Sequence, residues 1–255
     1  MTETLRVRVH QWASGLDPAA NRARLAEGVT PGADLVVLPE AYARDFGEAG
    51  SDVSAFAEPL DGPFASELDR VARAADCTAV AGMFEVADDP ARPYNTLVAA
   101  GTSAGRYRKI HLYDSFGYRE SDRITGGATE PVVIEVAGWQ VGLMTCYDLR
   151  FPELARRLVD AGAEVIVVPA AWLPGDRKVE HWRTLLAARA IENTCFVVGA
   201  AQPEPRYCGH SAVVGPMGEV LGEAAGGEAT FEAVLDRADL SATRRTNPSL
   251  ANRRL

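Results

Sequence analysis

Residues 140–153 read Q-V-G-L-M-T-C-Y-D-L-R-F-P-E, an apolar run followed by a polar turn and a proline. The apolar run predicts a buried strand that ends at Cys146, and Pro152 favours the first turn of a helix that we expect to continue through Asp160. A thiol at such a turn projects from the edge of a sheet, and the next backbone N–H, that of Tyr147, is free to donate to whatever the sulfur attacks. Cys146 is therefore a candidate nucleophile, and the alternative is a small apolar residue that fills the core.

The composition is that of an ordinary globular protein. The 255 residues are 47% hydrophobic and 24% charged, which suits an α/β fold with a sizeable core. The formal net charge of −9 argues against a nucleic-acid partner or an anionic membrane surface. Because the sequence shows no targeting segment and no apolar run long enough to span a membrane, we expect a cytoplasmic protein without a membrane partner.

The four cysteines form no metal or redox motif. Cys77, Cys146, Cys195 and Cys208 contain no C-x-x-C pair, and no histidines follow them at zinc-finger spacing. We therefore expect no metal and no cofactor. A count of this kind fits reduced thiols in the cytosol.

Strands and helices alternate through most of the chain, and strands dominate its end. Residues 165–169 form an uninterrupted apolar run, typical of a strand buried on both faces. The clearest amphipathic helix covers 179–193, and 241–255 is expected to be an irregular tail. With no linker or shift in composition, the pattern predicts a single α/β domain over 1–255.

Two more charged residues stand, like Cys146, at the end of a predicted strand. Glu40 follows an apolar run, and Lys109 lies where a strand meets a long loop at 111–130, a length that is usually functional. Burial raises the pKa of a carboxyl group, as a general base near neutral pH requires, and a neighbouring lysine offsets that shift and can donate to an oxyanion. Taken singly, each has the ordinary alternative of a surface charge.

The surroundings of these three residues resemble one family. L-P-E around Glu40, Y-R-K-I-H-L-Y around Lys109 and G-L-M-T-C-Y-D-L-R-F-P-E around Cys146 are similar, in order and spacing, to motifs of the nitrilase superfamily of carbon–nitrogen hydrolases. The likeness continues through H-W-R-T-L-L-A-A-R-A-I-E-N and G-H-S-A-V-V-G-P-M-G-E-V, and so covers nearly the whole chain. It implies a four-layer α-β-β-α sandwich of two sheets, commonly paired as a homodimer.

The resemblance also implies the catalytic residues. The family's Glu–Lys–Cys triad carries over to Glu40, Lys109 and Cys146, and its second glutamate best matches Glu120, whose alternative is a solvated loop carboxylate. Glu40 would take the thiol proton, and a thioester would form on the sulfur. Lys109 and the Tyr147 N–H would stabilise the oxyanion, while Glu120 would hold the lysine and help to orient the substrate amide.

The residues after the cysteine resemble those of ω-amidases and deaminated glutathione amidases. This likeness implies release of ammonia from a terminal carboxamide on a small molecule that carries a carboxylate. Such an anion needs a cation, for which the sequence offers Arg150, Arg119 and Arg177, each with the alternative of an ordinary surface arginine. An apolar pocket wall is expected from a set of aromatic residues: Tyr42, Phe116, Tyr118 and Trp172.

Other chemistries stay open on the sequence alone. Within the same family, the chain could be an N-carbamoyl amino acid hydrolase or a nitrilase. A papain-like pair would use His111, which lies two residues from Lys109, although a structural hydrogen-bonding histidine is the ordinary alternative. A different class of function is a catalytically idle scaffold with this fold.

Overall fold

The computed structural model describes residues 2–254, which contain two six-stranded sheets flanked by helices. The strands are β1 (Thr4–Gln11), β2 (Leu35–Val37), β3 (Thr78–Glu85), β4 (Tyr94–Gly101), β5 (Gly105–Arg108), β6 (Asp114–Ser115), β7 (Tyr118–Arg119), β8 (Val133–Val136), β9 (Trp139–Leu143), β10 (Val165–Ala170), β11 (Phe196–Ala201), β12 (Ala212–Val214), β13 (Val220–Glu223) and β14 (Ala229–Asp236). The helices are α1 (Pro18–Gly28), α2 (Pro63–Ala74), α3 (Pro152–Asp160), α4 (Lys178–Asn193) and α5 (Arg237–Thr246), with short 3-10 turns at Ser54–Phe56, Glu120–Asp122 and Cys146–Arg150.

Each sheet combines parallel strands with antiparallel ones. The first sheet has the order β14-β1-β2-β3-β4-β5 and the second β13-β12-β11-β10-β9-β8. Strands β1, β2 and β3 are parallel to one another, as are β9, β10 and β11. Because parallel strands end at the same edge of a sheet, the segments that follow β2, β9 and β10 are the natural places for a site.

Burial on both faces of the central strands produces the layers. In β2, Leu35 and Val37 belong to the large core between the sheets, whereas Val36 belongs to the core beneath α1 and α2. On the second sheet, Leu158 of α3 and Trp182 of α4 join the core that contains β9 to β11. Alternate side chains of one strand thus pack against a helix layer on one face of the sheet and against the other sheet on the opposite face. The predicted α-β-β-α sandwich is confirmed.

The C-terminal segment departs from the prediction. Residues 241–246, expected to be irregular, belong to α5, whose N-terminus is capped by the Asp236 carboxylate accepting from the Ala238 N–H at 2.8 Å. The sequence gives a weak helical signal here because Leu240 and Thr243 are the buried residues of an otherwise polar helix. The single domain over 1–255 stays a prediction. Across residues 2–254, no helix has both the length and the apolar character needed to cross a membrane.

Gly82 in β3 allows the segment that carries Glu40 to lie directly against the sheet. The Gly82 N–H donates to the Pro39 carbonyl at 3.1 Å, and its carbonyl accepts from the Ala43 N–H at 2.9 Å. A Cβ on Gly82 would lie 2.3 Å from the Ala41 nitrogen and 2.7 Å from the Glu40 Cα. These are backbone atoms that cannot rotate away, so only glycine fits this approach.

We expect Gly82→Ala to displace the Glu40 segment and lower the free energy of unfolding by about 1–3 kcal/mol, the usual cost of overpacking. Denaturant unfolding measures this loss. Gly227→Ala is the matched control, because a Cβ there meets nothing within 4 Å. Equal stability of the two variants would contradict the expectation.

Candidate active site

The turn that carries Cys146 is held by one buried carboxylate. Cys146 has a φ of +46°, in the left-handed region that costs energy for a residue with a side chain. The Asp148 carboxylate accepts from the Thr145 N–H at 2.9 Å, from the Tyr107 hydroxyl at 2.6 Å and from the His111 N–H at 3.0 Å. Asp148 therefore ties the turn to β5 and to the loop after it, and so fixes the direction of the sulfur.

A buried lysine lies between two carboxylates. The Lys109 Nζ donates to Glu40 Oε1 at 3.0 Å and to Glu120 Oε2 at 2.8 Å, and its side chain is 2% exposed. The Asn95 amide bridges the same carboxylates, at 2.7 Å to Glu40 and 3.1 Å to Glu120. The second Glu40 oxygen accepts from the Ala171 N–H at 2.7 Å. Glu40, Lys109 and Glu120 are thus joined by hydrogen bonds into one group. Asn95 in the first sheet and Ala171, which follows a strand of the second, donate to its carboxylates.

Electrostatics keep the lysine charged. Burial by itself lowers the pKa of Lys109, but the carboxylates of Glu120 and Glu40 outweigh it and hold that pKa well above its ordinary value. The ammonium is therefore a permanent donor in this site.

The same cluster keeps the thiol protonated. Burial raises the pKa of Cys146 well above its ordinary value, and the Glu40 carboxylate raises it further while Lys109 opposes the shift. Glu40 and Cys146 line the same cavity, so this carboxylate is close enough for its charge to act on the sulfur. Because the thiolate is the reactive form of a cysteine, any reaction at this sulfur would need a base, and Glu40 is the carboxylate with the largest effect on its pKa.

These residues open into a cavity of about 160 Å³, a space for a small molecule. Its polar side is formed by Glu40, Lys109, Glu120 and Cys146. The rest of the wall is largely aromatic or aliphatic, with two further cations and one further carboxylate, and includes Phe46, Tyr113, Tyr118, Tyr147, Trp172, Leu173, Tyr207, Lys178, Arg206 and Glu48.

Only some of the aromatic residues predicted for the pocket wall line the cavity in the structure. Tyr147, Trp172 and Tyr118 line the cavity, as expected. Tyr42 does not, because its side chain is fully buried in the core between the first sheet and its helices. Phe116 does not line it either, because its side chain is 71% exposed on the long loop. The assignment of Tyr42 and Phe116 to the pocket wall is therefore corrected.

The three arginines proposed for a substrate anion also lie outside the cavity lining. Arg119 and Arg177 are exposed, and each forms an ion pair with an acidic residue three positions along the chain. The Arg150 guanidinium packs on the ring of Trp172, 4.8 Å from its centre. The cavity wall instead contains Lys178, which no motif or pattern in the sequence singles out.

His111 does not form a pair with the thiol. Its Nδ1 lies 2.7 Å from Asp148 Oδ1, its ring stacks on Phe151 with centroids 3.8 Å apart, and it is not among the residues that line the cavity. The papain-like alternative therefore lacks its catalytic pair. In the part of the chain that the structure describes, no group of three His, Cys, Asp or Glu side chains is arranged to hold a metal ion.

Sequence reasoning missed Asn95 and Asp148. Asp148 lies within the quoted motif, two residues from the thiol, and an acidic residue in such a turn is a signal for a buried hydrogen-bond acceptor. Asn95 gives no such signal, because its role depends on two carboxylates that are distant in sequence.

We expect iodoacetamide to alkylate Cys146 slowly at neutral pH, with a midpoint at higher pH than that of an ordinary thiol, because the thiolate forms only as the pH rises through the raised pKa. Glu40→Gln removes a negative charge beside the sulfur, so the midpoint should move to lower pH. Mass spectrometry of the modified peptide measures the rate at each pH, with Cys146→Ser as the control. A wild-type midpoint near neutrality would contradict this prediction.

Comparison with known proteins supports the same chemistry. A family model described as carbon-nitrogen hydrolase matches residues 6–245. The deaminated glutathione amidase of Escherichia coli O157:H7 is 40% identical over 233 residues, covering 90% of this chain and 88% of that protein. A CN-hydrolase superfamily protein of Xanthomonas campestris matches with a TM-score of 0.89 at 28% identity, over 100% of this chain and 98% of its own.

A third relative is an amidase. A glutamate-to-glutamine mutant of the Nesterenkonia sp. AN1 amidase, of the nitrilase superfamily, carries acrylamide added at its active-site cysteine; it matches with a TM-score of 0.78 at 28% identity, over 97% of this chain and 99% of its own. The resemblance to this superfamily and to its deaminated glutathione amidases is confirmed. The chain belongs to the carbon–nitrogen hydrolase family and is an enzyme of the nitrilase superfamily.

Proposed function

We propose that the enzyme hydrolyses the terminal carboxamide of a small carboxylate-bearing molecule, releases ammonia, and passes through a thioester on Cys146. The observation that carries the proposal is the contact of a buried lysine with two carboxylates in the cavity that the buried Cys146 thiol also lines. This arrangement supplies a nucleophile, a base and a fixed positive charge in one small cavity.

In the first half-reaction, Glu40 accepts the proton of Cys146 as the sulfur attacks the carbonyl carbon of the amide. The carbonyl oxygen becomes an oxyanion, which the Lys109 ammonium and the Tyr147 N–H stabilise. Glu40 then returns the proton to the departing nitrogen. The C–N bond breaks, ammonia leaves, and the acyl group stays on the sulfur.

In the second half-reaction, a water molecule enters the place of ammonia. Glu40 takes one of its protons, and the hydroxide attacks the thioester carbonyl through the same oxyanion position. The C–S bond breaks, the carboxylic acid leaves, and Glu40 gives its proton back to the sulfur. Each proton that Glu40 accepts is returned within the same half-reaction.

Glu120 acts by holding Lys109. Its Oε2 accepts from Lys109 Nζ at 2.8 Å and from the Tyr113 N–H at 2.7 Å, and its Oε1 accepts from Asn95 at 3.1 Å. With both oxygens already engaged, Glu120 keeps the ammonium in position while Glu40 changes protonation. It is a positioning residue in this scheme.

The substrate class draws on the comparisons and on the cavity. The Escherichia coli relative is a deaminated glutathione amidase, and the Nesterenkonia relative is an amidase. A cavity of about 160 Å³ suits a small amide and excludes a folded protein substrate. The N-carbamoyl amino acids and nitriles that the sequence left open are competing substrates for the same thiol.

Four substrate types test the proposal: ammonia release is measured with an α-keto-acid ω-amide, an N-carbamoyl amino acid and a simple nitrile, and release of a peptide amine is measured with deaminated glutathione, which has no terminal carboxamide. We expect turnover of the carboxylate-bearing amides, and a loss of about 10²- to 10⁴-fold in kcat for Glu40→Gln, because the general base is removed. Glu48→Gln is the matched control, since Glu48 lines the same cavity without an ion pair to Lys109. Near-full activity of Glu40→Gln would rule out the glutamate base.

Absence of turnover with all four substrates would favour the idle scaffold, provided that Cys146 also stays unreactive to iodoacetamide at high pH, where the thiolate is expected to form. A separate expectation concerns assembly, where the family resemblance implies a homodimer. Light scattering at micromolar concentration should give twice the mass of the chain, and a monomer mass would refute the dimer.

A further inference from the structure

Lys178 is a second buried lysine in the wall of the catalytic cavity. It is the first residue of α4, it is 7% exposed, and it lines the same space as Cys146. Its backbone is fixed, because the Trp172 indole N–H donates to the Lys178 carbonyl at 2.9 Å. Its Nζ donates to the Tyr113 hydroxyl at 3.2 Å.

Lys178 differs in its ion pairing from Lys109 and Arg206, the other two cations of the cavity wall. Lys109 contacts Glu40 and Glu120, and Arg206 pairs with Asp45 at 2.9 Å. Among residues 2–254, no carboxylate lies within ion-pairing distance of Lys178. A buried charge without a counter-charge is costly, so an anion that enters this cavity gains more at Lys178 than at the other two cations.

Aromatic rings surround the ammonium without neutralising it. The Lys178 Nζ lies 5.2 Å from the ring centre of Tyr113, 4.4 Å from that of Phe116 and 5.5 Å from that of Trp172. Ring faces attract a cation and favour its charged form. Burial, followed by the positive charge of Arg150, nevertheless lowers the pKa of Lys178, as expected for an ammonium that lacks a carboxylate.

The remaining hydrogen-bonding capacity of Lys178 suits a carboxylate. An ammonium has three N–H donors, and the Tyr113 hydroxyl takes one of them, which leaves two for a ligand. Tyr113 also connects the two lysines. Its backbone N–H donates to Glu120, which accepts from Lys109, and its hydroxyl accepts from Lys178. About one tyrosine side chain therefore separates the catalytic cluster from Lys178, a spacing that suits a chain of a few carbons.

We propose that Lys178 binds the carboxylate of the substrate and so selects anionic amides over neutral ones. The identity of the ligand as an amide rests on the proposed function, whereas the recognition of a carboxylate by Lys178 does not. Of the cations in the chain, this assigns the role to a lysine in the cavity wall rather than to Arg150, Arg119 or Arg177.

A kinetic comparison tests the selection. Glutaramate carries a carboxylate and a terminal amide, and pentanamide has the same chain length without the charge. We expect Lys178→Met to lower kcat/KM for glutaramate about 10- to 100-fold, mainly through KM, because a charge-assisted hydrogen bond to the bound substrate is lost. The value for pentanamide should change less than about threefold.

The matched control is Arg177→Gln. It removes one positive charge from the neighbouring residue, which is exposed and lies outside the cavity. We expect it to leave the preference for glutaramate unchanged. An equal loss in Arg177→Gln and Lys178→Met would reduce the effect to overall charge and overturn the proposal.

Binding of glutarate, measured by calorimetry, separates this inference from the proposed function. We expect wild type and Arg177→Gln to bind it, Lys178→Met to lose at least about tenfold in affinity, and Lys178→Arg to retain most of it because the charge is kept. If no amide is hydrolysed but glutarate binding still depends on Lys178, the proposed function fails and the anion site stands. Equal affinity in wild type and Lys178→Met, or no binding to the wild type, overturns the inference.

Discussion

The site depends on the Lys109 ammonium being enclosed by Glu40 and Glu120. An unpaired ammonium at this depth would cost several kcal/mol, and so would either carboxylate alone. The three groups are tolerated because each supplies what the others need, and Asn95 and the Ala171 N–H complete the hydrogen bonds of the carboxylates. Stable burial of the cluster and the chemistry that we propose therefore have the same physical cause.

The layers of the fold follow from short apolar strands that bury both faces. Alternate side chains of β2 reach different cores, so both faces of this strand must be covered, here by a helix layer on one side and the second sheet on the other. This pattern predicted the α/β fold, whereas the sandwich of two sheets was predicted from the family resemblance. Helix α5 could not be predicted, because its polar sequence gives little apolar periodicity and its position depends on packing against the finished sheet.

The site was predictable to the extent that its residues lie within local motifs. Glu40, Lys109 and Cys146 each end an apolar strand, so the sequence marks them before any contact is known. Lys178 carries no such mark, because the role that we propose for it depends on its having no carboxylate within ion-pairing distance among residues 2–254. Arg119 and Arg177 show the converse: each is cationic, but an acidic residue three positions away already pairs with it on the surface.

Glu40 has hydrogen bonds that cross from one sheet to the other. Its side chain accepts from Ala171, which follows β10, and its carbonyl accepts from the Gln202 side chain at 2.9 Å, just after β11. Neither sheet by itself therefore holds Glu40, the residue that we propose as the base, in its place beside the sulfur. We therefore expect activity to appear only after the two sheets have packed correctly against each other. A folding intermediate in which each sheet has formed but the sheets are not correctly packed would have native-like secondary structure and no activity.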